Sequence, residues 1–189
     1  GASSLSSTDI ASEFLAGSLD GMQELKNSIA SPSFKKAVDL LAASDCIWIA
    51  ASRRSFPVAA YLDYALQHTD KRISLVTGMG GMQQGQMRSV RKDDVMVAIS
   101  FSPYAEETMS VAKLAVERGA KLIVADPRRS DLARLATHFL QFRADSDVAL
   151  LNAMMHVIVH EELVDARFIA LFDTALESPL GQIAMVPML

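Results

Sequence analysis

Cysteine is nearly missing from this chain of 189 residues: Cys46 stands alone, so no internal disulfide can form. That usage fits a reducing compartment, and a cytoplasmic location is expected. Long hydrophobic runs are missing as well. None approaches the roughly 20 apolar residues of a membrane helix, and no signal-peptide pattern opens the chain. Basic charge is scarce: the net charge is −4 and no run of Lys or Arg exceeds two residues. An extended nucleic-acid footprint is thereby excluded. If the chain belongs to a DNA-binding regulator, a separate domain makes the DNA contact. Internal repeats and low-complexity linkers are absent too.

What is present describes a globular α/β protein. Half the residues are hydrophobic and 21% are charged, the balance of a chain that buries a core. Phe14, Leu15, Leu19, Met22, Leu25 and Ile29 recur at helical spacing, which predicts an amphipathic helix over about 9–30. Ser31-Pro32 then supplies a cap and a first-turn proline for a second helix bearing Phe34, Ala37, Val38 and Leu41. From Cys46 onward the pattern changes. Short apolar runs at 46–51, 72–76, 95–100, 122–126 and 138–142 alternate with candidate helices at 56–68, 80–89, 103–118 and 130–137. Strands apolar throughout belong to a parallel sheet covered on both faces. The fold predicted is a doubly wound five-stranded parallel sheet flanked by helices, built from right-handed βαβ units.

Residues 1–8 read as a disordered tail and 9–189 as a single domain. Within it, 9–45 hold the N-terminal helices, 46–142 the βα units and 143–189 further helices, at 147–163 and 165–172. The apolar end, Gly181–Leu189, stops abruptly, so the natural chain is expected to continue.

Ligands of open parallel sheets sit beyond the carboxyl ends of the strands, at helix N-termini. Three such turns carry hydroxyls here. In Ala51-Ser52-Arg53-Arg54-Ser55-Phe56-Pro57, Ser55 is placed as an N-cap that could hold an anion, aided by Arg53 or Arg54. Taken alone, such a turn is more often an ordinary cap with solvated arginines. In Ser100-Phe101-Ser102-Pro103-Tyr104-Ala105-Glu106-Glu107, Ser102 is expected to cap a helix starting at Pro103. Ser100 is expected on the same side of the strand end. A phosphate there would meet two hydroxyls and a positive helix terminus. In Asp126-Pro127-Arg128-Arg129-Ser130, Ser130 reads as a structural cap.

The first two turns, in this order, resemble the SIS (sugar isomerase) domain. That family has a glycine-rich turn ending in serine after its first strand, and Ser-x-Ser-Gly-x-Thr-x-Glu after its third. Ser55 matches the first; Ser100, Ser102 and Glu107 match the second. The wording Arg54-Ser55-Phe56-Pro57-Val58-Ala59-Ala60-Tyr61-Leu62, with Gly80-Gly81-Met82 and Ile99–Tyr104, is similar to one branch, the sensor domain of RpiR-type transcriptional regulators. The resemblance runs from about Ser7 to Ala125. It implies a five-stranded parallel sheet, sugar-phosphate binding and a homo-oligomer. Ala51 and Arg53 stand where the family usually has glycines, Pro103 replaces the motif glycine and Ala105 its threonine.

A second resemblance covers about 50 residues. Arg118–Ser130, Asp147–Ile158 and Leu163–Ala170 are similar to a segment of molybdopterin oxidoreductases, particularly the catalytic chain of formate dehydrogenases. There the Asp-Pro-Arg turn lies near a bound guanine dinucleotide, so Asp126 and Arg128 are the matching positions. The tail, Ala170–Pro179, reads as an SIS domain again. The combination suggests a chimera, with an unusual natural SIS domain as the alternative. The segment lacks the rest of the pterin site, and no cysteine follows that could ligate molybdenum.

No cofactor or metal is expected. His156 and His160 are four apart on a helix with Glu161 adjacent, but a zincin would need Glu where Val157 stands. Gly78, Gly80 and Gly81 miss Gly-x-Gly-x-x-Gly because position 83 is Gln. Ten methionines suit adaptable packing. The function expected is non-catalytic binding of a phosphorylated sugar by the sensor domain of a transcriptional regulator. Ser55, Ser100 and Ser102 would hold the phosphate, with Arg53, Arg54, Tyr104 and Glu107 as further candidates. An aldose–ketose phosphosugar isomerase is one alternative, although the spacing identifies no acid–base pair. A chimera without defined activity is the other.

Overall fold

Six consecutive buried residues, Cys46–Ala51, form β1, which lies between β2 and β3 in a five-stranded sheet. The remaining strands are β2 (Arg72–Val76), β3 (Val95–Ile99), β4 (Lys121–Ala125) and β5 (His138–Leu140). Their order is β2-β1-β3-β4-β5 and every pairing is parallel. The computed structural model describes residues 6–143, together with Ser146, Ala149, Leu150, Ala153, Met154 and Val157. Alternation along β1 explains its unbroken apolar sequence. Ile47, Ile49 and Ala51 face one core layer, while Cys46, Trp48 and Ala50 face the other.

The helices divide between those layers. On one side lie α1 (Ser7–Ile29), α2 (Pro32–Ala43) and α3 (Phe56–Leu66). Leu25, Phe34, Val38, Leu41, Leu62 and Leu66 carry their core contacts. Ala149, Leu150, Ala153, Met154 and Val157 are helical and pack on this layer too. The rest of the C-terminal helices predicted from sequence lies outside the described residues, as does the segment 1–5. On the other side lie α4 (Gln83–Met87) and α5 (Glu106–Glu117), with Met87, Val111, Ala112 and Ala115 buried. Among the described residues, no helix is long and apolar enough to cross a membrane.

Several boundaries differ from the sequence reading, each for a local reason. Ser6 already caps α1, exchanging hydrogen bonds with Asp9 in a capping box, so Ser7 and Thr8 are helical and not part of a tail. The helix expected over 80–89 shrinks to α4, because Gly78, Gly80 and Gly81 all adopt positive φ and spend the preceding residues on a turn. A helix over 130–137 does not form. Thr137 is bound through both backbone and side chain to Leu122 at the start of β4, leaving only a four-residue 3-10 turn, Asp131–Arg134. Ser130 stands at the cap position of that turn without making a capping bond.

Candidate functional site

The chain leaves β1 for β2 on one side and then returns to β3 on the other. The carboxyl ends of β1 and β3 therefore flank the switch point where ligands of such sheets settle. Ala51 pairs with Ile99, Ile99 with Ala125, and Ala125 with Leu140. One position further on, the sequence supplies Ser52, Ser100, Asp126 and Gln141 in one row. The backbone N–H of Asp126 donates to the Leu140 carbonyl, which carries the ladder into that row. Since Ala51, Ile99, Ala125 and Leu140 all face the α1–α2 layer, alternation turns the polar row toward α5.

A crevice opens at the β1 end of this row. Ala50, Ala51, Ser52, Val76, Thr77, Gly78, Gln83, Glu107, Thr108 and Val111 line it, around a free volume of about 20 Å³. That holds a single water. Gly78 shapes its floor: φ is +65°, and a Cβ there would stand 2.5 Å from the Gln83 side-chain nitrogen. The buried Thr108 hydroxyl donates to the Ser52 hydroxyl oxygen at 3.0 Å. Arg53 reaches Glu107 at 3.5 Å across the mouth, with both side chains largely exposed. The backbone N–H of Glu107 itself, at the first turn of α5, holds its carboxyl below the usual range, and Arg53 adds to that.

The serines behave differently from a set of free caps. Ser55 is 2% exposed, and its hydroxyl donates to the Ser52 carbonyl at 2.8 Å, closing the turn instead of capping α3. Nor does Ser102 cap a helix. The helix begins at Glu106 with Ala105 in the cap position, because Phe101–Tyr104 are used to cross toward β4. There Tyr104 donates to Asp126 at 3.4 Å. Ser100 is 2% exposed whereas Ser102 is exposed, so the two do not share one surroundings as their period of two suggests. Arg53 and Arg54 are exposed. Arg53 adopts the left-handed conformation, at φ 57°. Of the seven sequence candidates, only Glu107 lines the crevice.

Asp126 is 1% exposed. Its Oδ1 accepts from the Arg128 backbone N–H at 2.8 Å and from Tyr104, while Oδ2 is buried without a hydrogen-bond partner. Ser130 lies close enough to favour the charged carboxylate, yet its own buried hydroxyl also makes no hydrogen bond. Burial outweighs these partners and pushes the Asp126 carboxyl above the usual range. It raises the Tyr104 phenol as well, with Asp126 adding to the effect. Cys46 is buried in β1 with its thiol pushed up by burial, the opposite of an activated nucleophile. No group of three potential metal ligands occurs among the described residues; His156 and His160 lie outside them.

Ser52, Thr77, Gln83 and Thr108 were not singled out by the sequence. For Thr108 a signal was available. Ala105 stands where the resembled motif has threonine, and Thr108, three residues on, supplies a hydroxyl from the first turn of α5.

Comparison with known proteins agrees with this architecture. The SIS domain family matches residues 40–166. The chain belongs to the SIS domain family. The sugar isomerase domain of an RpiR transcription factor from Sphaerobacter thermophilus superposes with a TM-score of 0.74 at 20% identity, covering 80% of this chain and 90% of that one. Vibrio vulnificus NanR, complexed with ManNAc-6P, gives 0.73 at 19%, covering 82% and 64%. Phosphoheptose isomerase GmhA from Neisseria gonorrhoeae gives 0.72 at 17%, covering 82% and 100%. The SIS fold thus resembles those of both regulators and phosphosugar isomerases. A different likeness covers half the chain. The F420-dependent formate dehydrogenase subunit alpha of Methanocaldococcus jannaschii is 33% identical over 101 residues, of which this chain spans about 15% of the length.

Proposed function

We propose that this SIS domain binds a phosphorylated sugar without transforming it, as the sensor part of a transcriptional regulator. The observation that carries the reading is the Ser52–Ser100 pair at the switch point, beside the positive N-terminus of α5. Ser52 already accepts from Thr108, so its own proton is left for an anion. Main-chain N–H groups at the helix terminus add further donors. Ser55 acts through the turn it closes, and Arg53 and Arg54 extend from that turn to meet the phosphate from outside. Ser102 and Tyr104 sit on the loop that must shift for Ser100 to be reached. That NanR is complexed with ManNAc-6P supports a phosphosugar as the ligand class.

The electrostatics favour binding over isomerisation. A base for proton transfer works best with a pKa near the operating pH, and Glu107, in the crevice, is moved the other way. Among the described residues, His138 begins β5 at the far end of the sheet, and His68 follows the C-terminus of α3. The domain would act as a homo-oligomer and reach DNA through a separate domain. Calorimetric titration with a panel of hexose and aminohexose 6-phosphates, paired with a turnover assay on the same compounds, tests this. Saturable binding without aldose–ketose conversion is expected; conversion at enzymatic rates overturns the sensor reading.

The formate-dehydrogenase likeness favours a second reading, in which the chain is a chimera with a transplanted segment at about 118–170. A segment selected against another body fits imperfectly, and close-packed interiors register single methylene mismatches. Replacing residues 118–170 by the matching stretch of another SIS domain should then raise stability. Unchanged or lower stability would count against a composite origin.

A further inference from the structure

We infer that Asp126, with Ser130, is the part of the site that reads the sugar's hydroxyls, and that Tyr104 covers it until the ligand enters. This rests on the phosphosugar reading above and assigns a residue that the phosphate-holding turns do not include. The starting point is an unmet demand. A buried carboxylate oxygen without a partner is costly, and in Asp126 such an atom stands beside a second one, the Ser130 hydroxyl. A pair of this kind, one acceptor and one group able both to donate and to accept, is satisfied by a single hydroxyl that contacts both. Phosphate does not fit, because the carboxylate repels it.

Position makes that hydroxyl a ligand's. Asp126 belongs to the same row as Ser52 and Ser100, on the same side of the sheet, facing α5. Adjacent strands are separated by about 4.8 Å, so Ser52 and Asp126 stand roughly 10 Å apart. A phosphate held by Ser52 at one end places the distal hydroxyls of a six-carbon sugar near Asp126 at the other. From the β3–α5 loop, Tyr104 covers the carboxylate; it is half-buried and held by a long 3.4 Å bond. A sugar hydroxyl that takes over this bond releases Tyr104 and the loop that carries Ser102. Reading the hydroxyls is thereby joined to uncovering Ser100.

The test compares three proteins, the wild type, Asp126→Asn and Ser130→Ala, against inorganic phosphate and a panel of hexose 6-phosphates, by titration calorimetry. Asparagine keeps the shape and the Arg128 turn but replaces an acceptor by a donor. Expected is a loss of about tenfold or more in hexose 6-phosphate affinity for Asp126→Asn and several-fold for Ser130→Ala, with inorganic phosphate unchanged. Wild-type affinity for the hexose phosphates in both variants would overturn the assignment and leave the phosphosugar reading standing. An equal loss of inorganic phosphate would overturn it too, by showing that Asp126 acts only through the shape of its turn. A wild type that binds neither probe defeats the phosphosugar reading and the assignment with it.

Discussion

The Thr108 hydroxyl, buried on α5, donates to the Ser52 hydroxyl oxygen 3.0 Å away at the end of β1. The direction of this bond orients the Ser52 proton. With one lone pair occupied, the serine is turned into a donor toward the crevice. Thr108→Val keeps the volume but removes the donor, freeing Ser52 to rotate. A hydrogen bond to a charged group contributes about 1.5–3 kcal/mol, so phosphosugar affinity should fall roughly 10- to 100-fold. Thr108→Ser should restore most of it. Equal affinities for the wild type and the valine variant, by calorimetry, would remove Ser52 from the phosphate site.

Arg53 holds φ 57° in the turn after β1. For a residue with a Cβ, this left-handed conformation costs roughly 1–2 kcal/mol. The ion pair with Glu107 is exposed at both ends and offsets little of that. Arg53→Gly should therefore raise the urea midpoint, with a net gain of about 0.5–1 kcal/mol after glycine's greater unfolded-state entropy is allowed for. Arg53→Ala, which keeps the strain and drops the ion pair, should gain nothing. A glycine variant no more stable than the alanine variant would show that the turn is not strained.

The sheet was legible because β1 and β3 are unbroken apolar runs buried on both faces, and β1 and β2 start and stop where their runs do. Ser31 and Pro32 likewise announce α2, with the serine accepting from Phe34. The candidate site follows from the strand ends, but its side-chain arrangement does not follow from the sequence. Ser55 and Ser102 stand where a local rule places helix caps, whereas other partners decide the geometry here. Tyr104 crosses to β4, Ser52 turns to α5, and Ser55 closes its own turn. The first two pairings span 22 and 56 residues and have no short-range signal. Nor does burial of Asp126, since Asp-Pro-Arg is a polar turn in sequence and becomes an interior position only when β4 and β5 are brought together.

Ile10, Phe14, Leu15, Leu19 and Met22 make an apolar stripe along α1, each about half exposed or more. Only Gly21 and Leu25 of this helix are buried, so its N-terminal two-thirds contributes little to the core of its own domain. Proposed self-association along this stripe should bury it. Phe14→Glu with Leu19→Glu is expected to convert a dimer or larger assembly into monomer in light scattering, with the helical signal largely kept. A wild type that scatters as a monomer at high concentration would refute the proposal without need of the variant.

The central link of the other core layer predicts a stability effect. Trp48 donates its indole N–H to Asp94 at 3.0 Å, and the Arg91 backbone N–H donates to the same oxygen at 2.9 Å. Both side chains are buried. Trp48→Phe removes one donor from a buried carboxylate and leaves a void, and each is costly. A loss of about 3–4 kcal/mol is expected in urea denaturation, with Asp94→Asn milder because the amide oxygen still accepts. A loss below about 1 kcal/mol for Trp48→Phe would show that water replaces the indole.

Burial gives Asp126 a second measurable consequence, in the pH dependence of folding. Its carboxyl is raised in the folded protein, chiefly by burial and against the pull of Arg128, Ser130 and Tyr104. The folded state therefore holds its proton more tightly than the unfolded chain. Where pH lies between the unfolded and folded values, the folded state binds more protons, and stability falls as pH rises through that window. Below the ordinary carboxylate value of 3.8, both states are protonated and the group costs nothing. Above the raised value the full penalty of a buried charge applies. Asp126→Asn is neutral throughout and keeps an acceptor for the Arg128 N–H. The variant should match the wild type in acid and become the more stable of the two on approach to neutrality. Chemical denaturation of both proteins at a series of pH values across the acid range to pH 7 measures the difference directly. A gap that stays constant with pH, or one that favours the wild type at neutral pH, would mean that the Asp126 charge is stabilised by its neighbours more than burial opposes it.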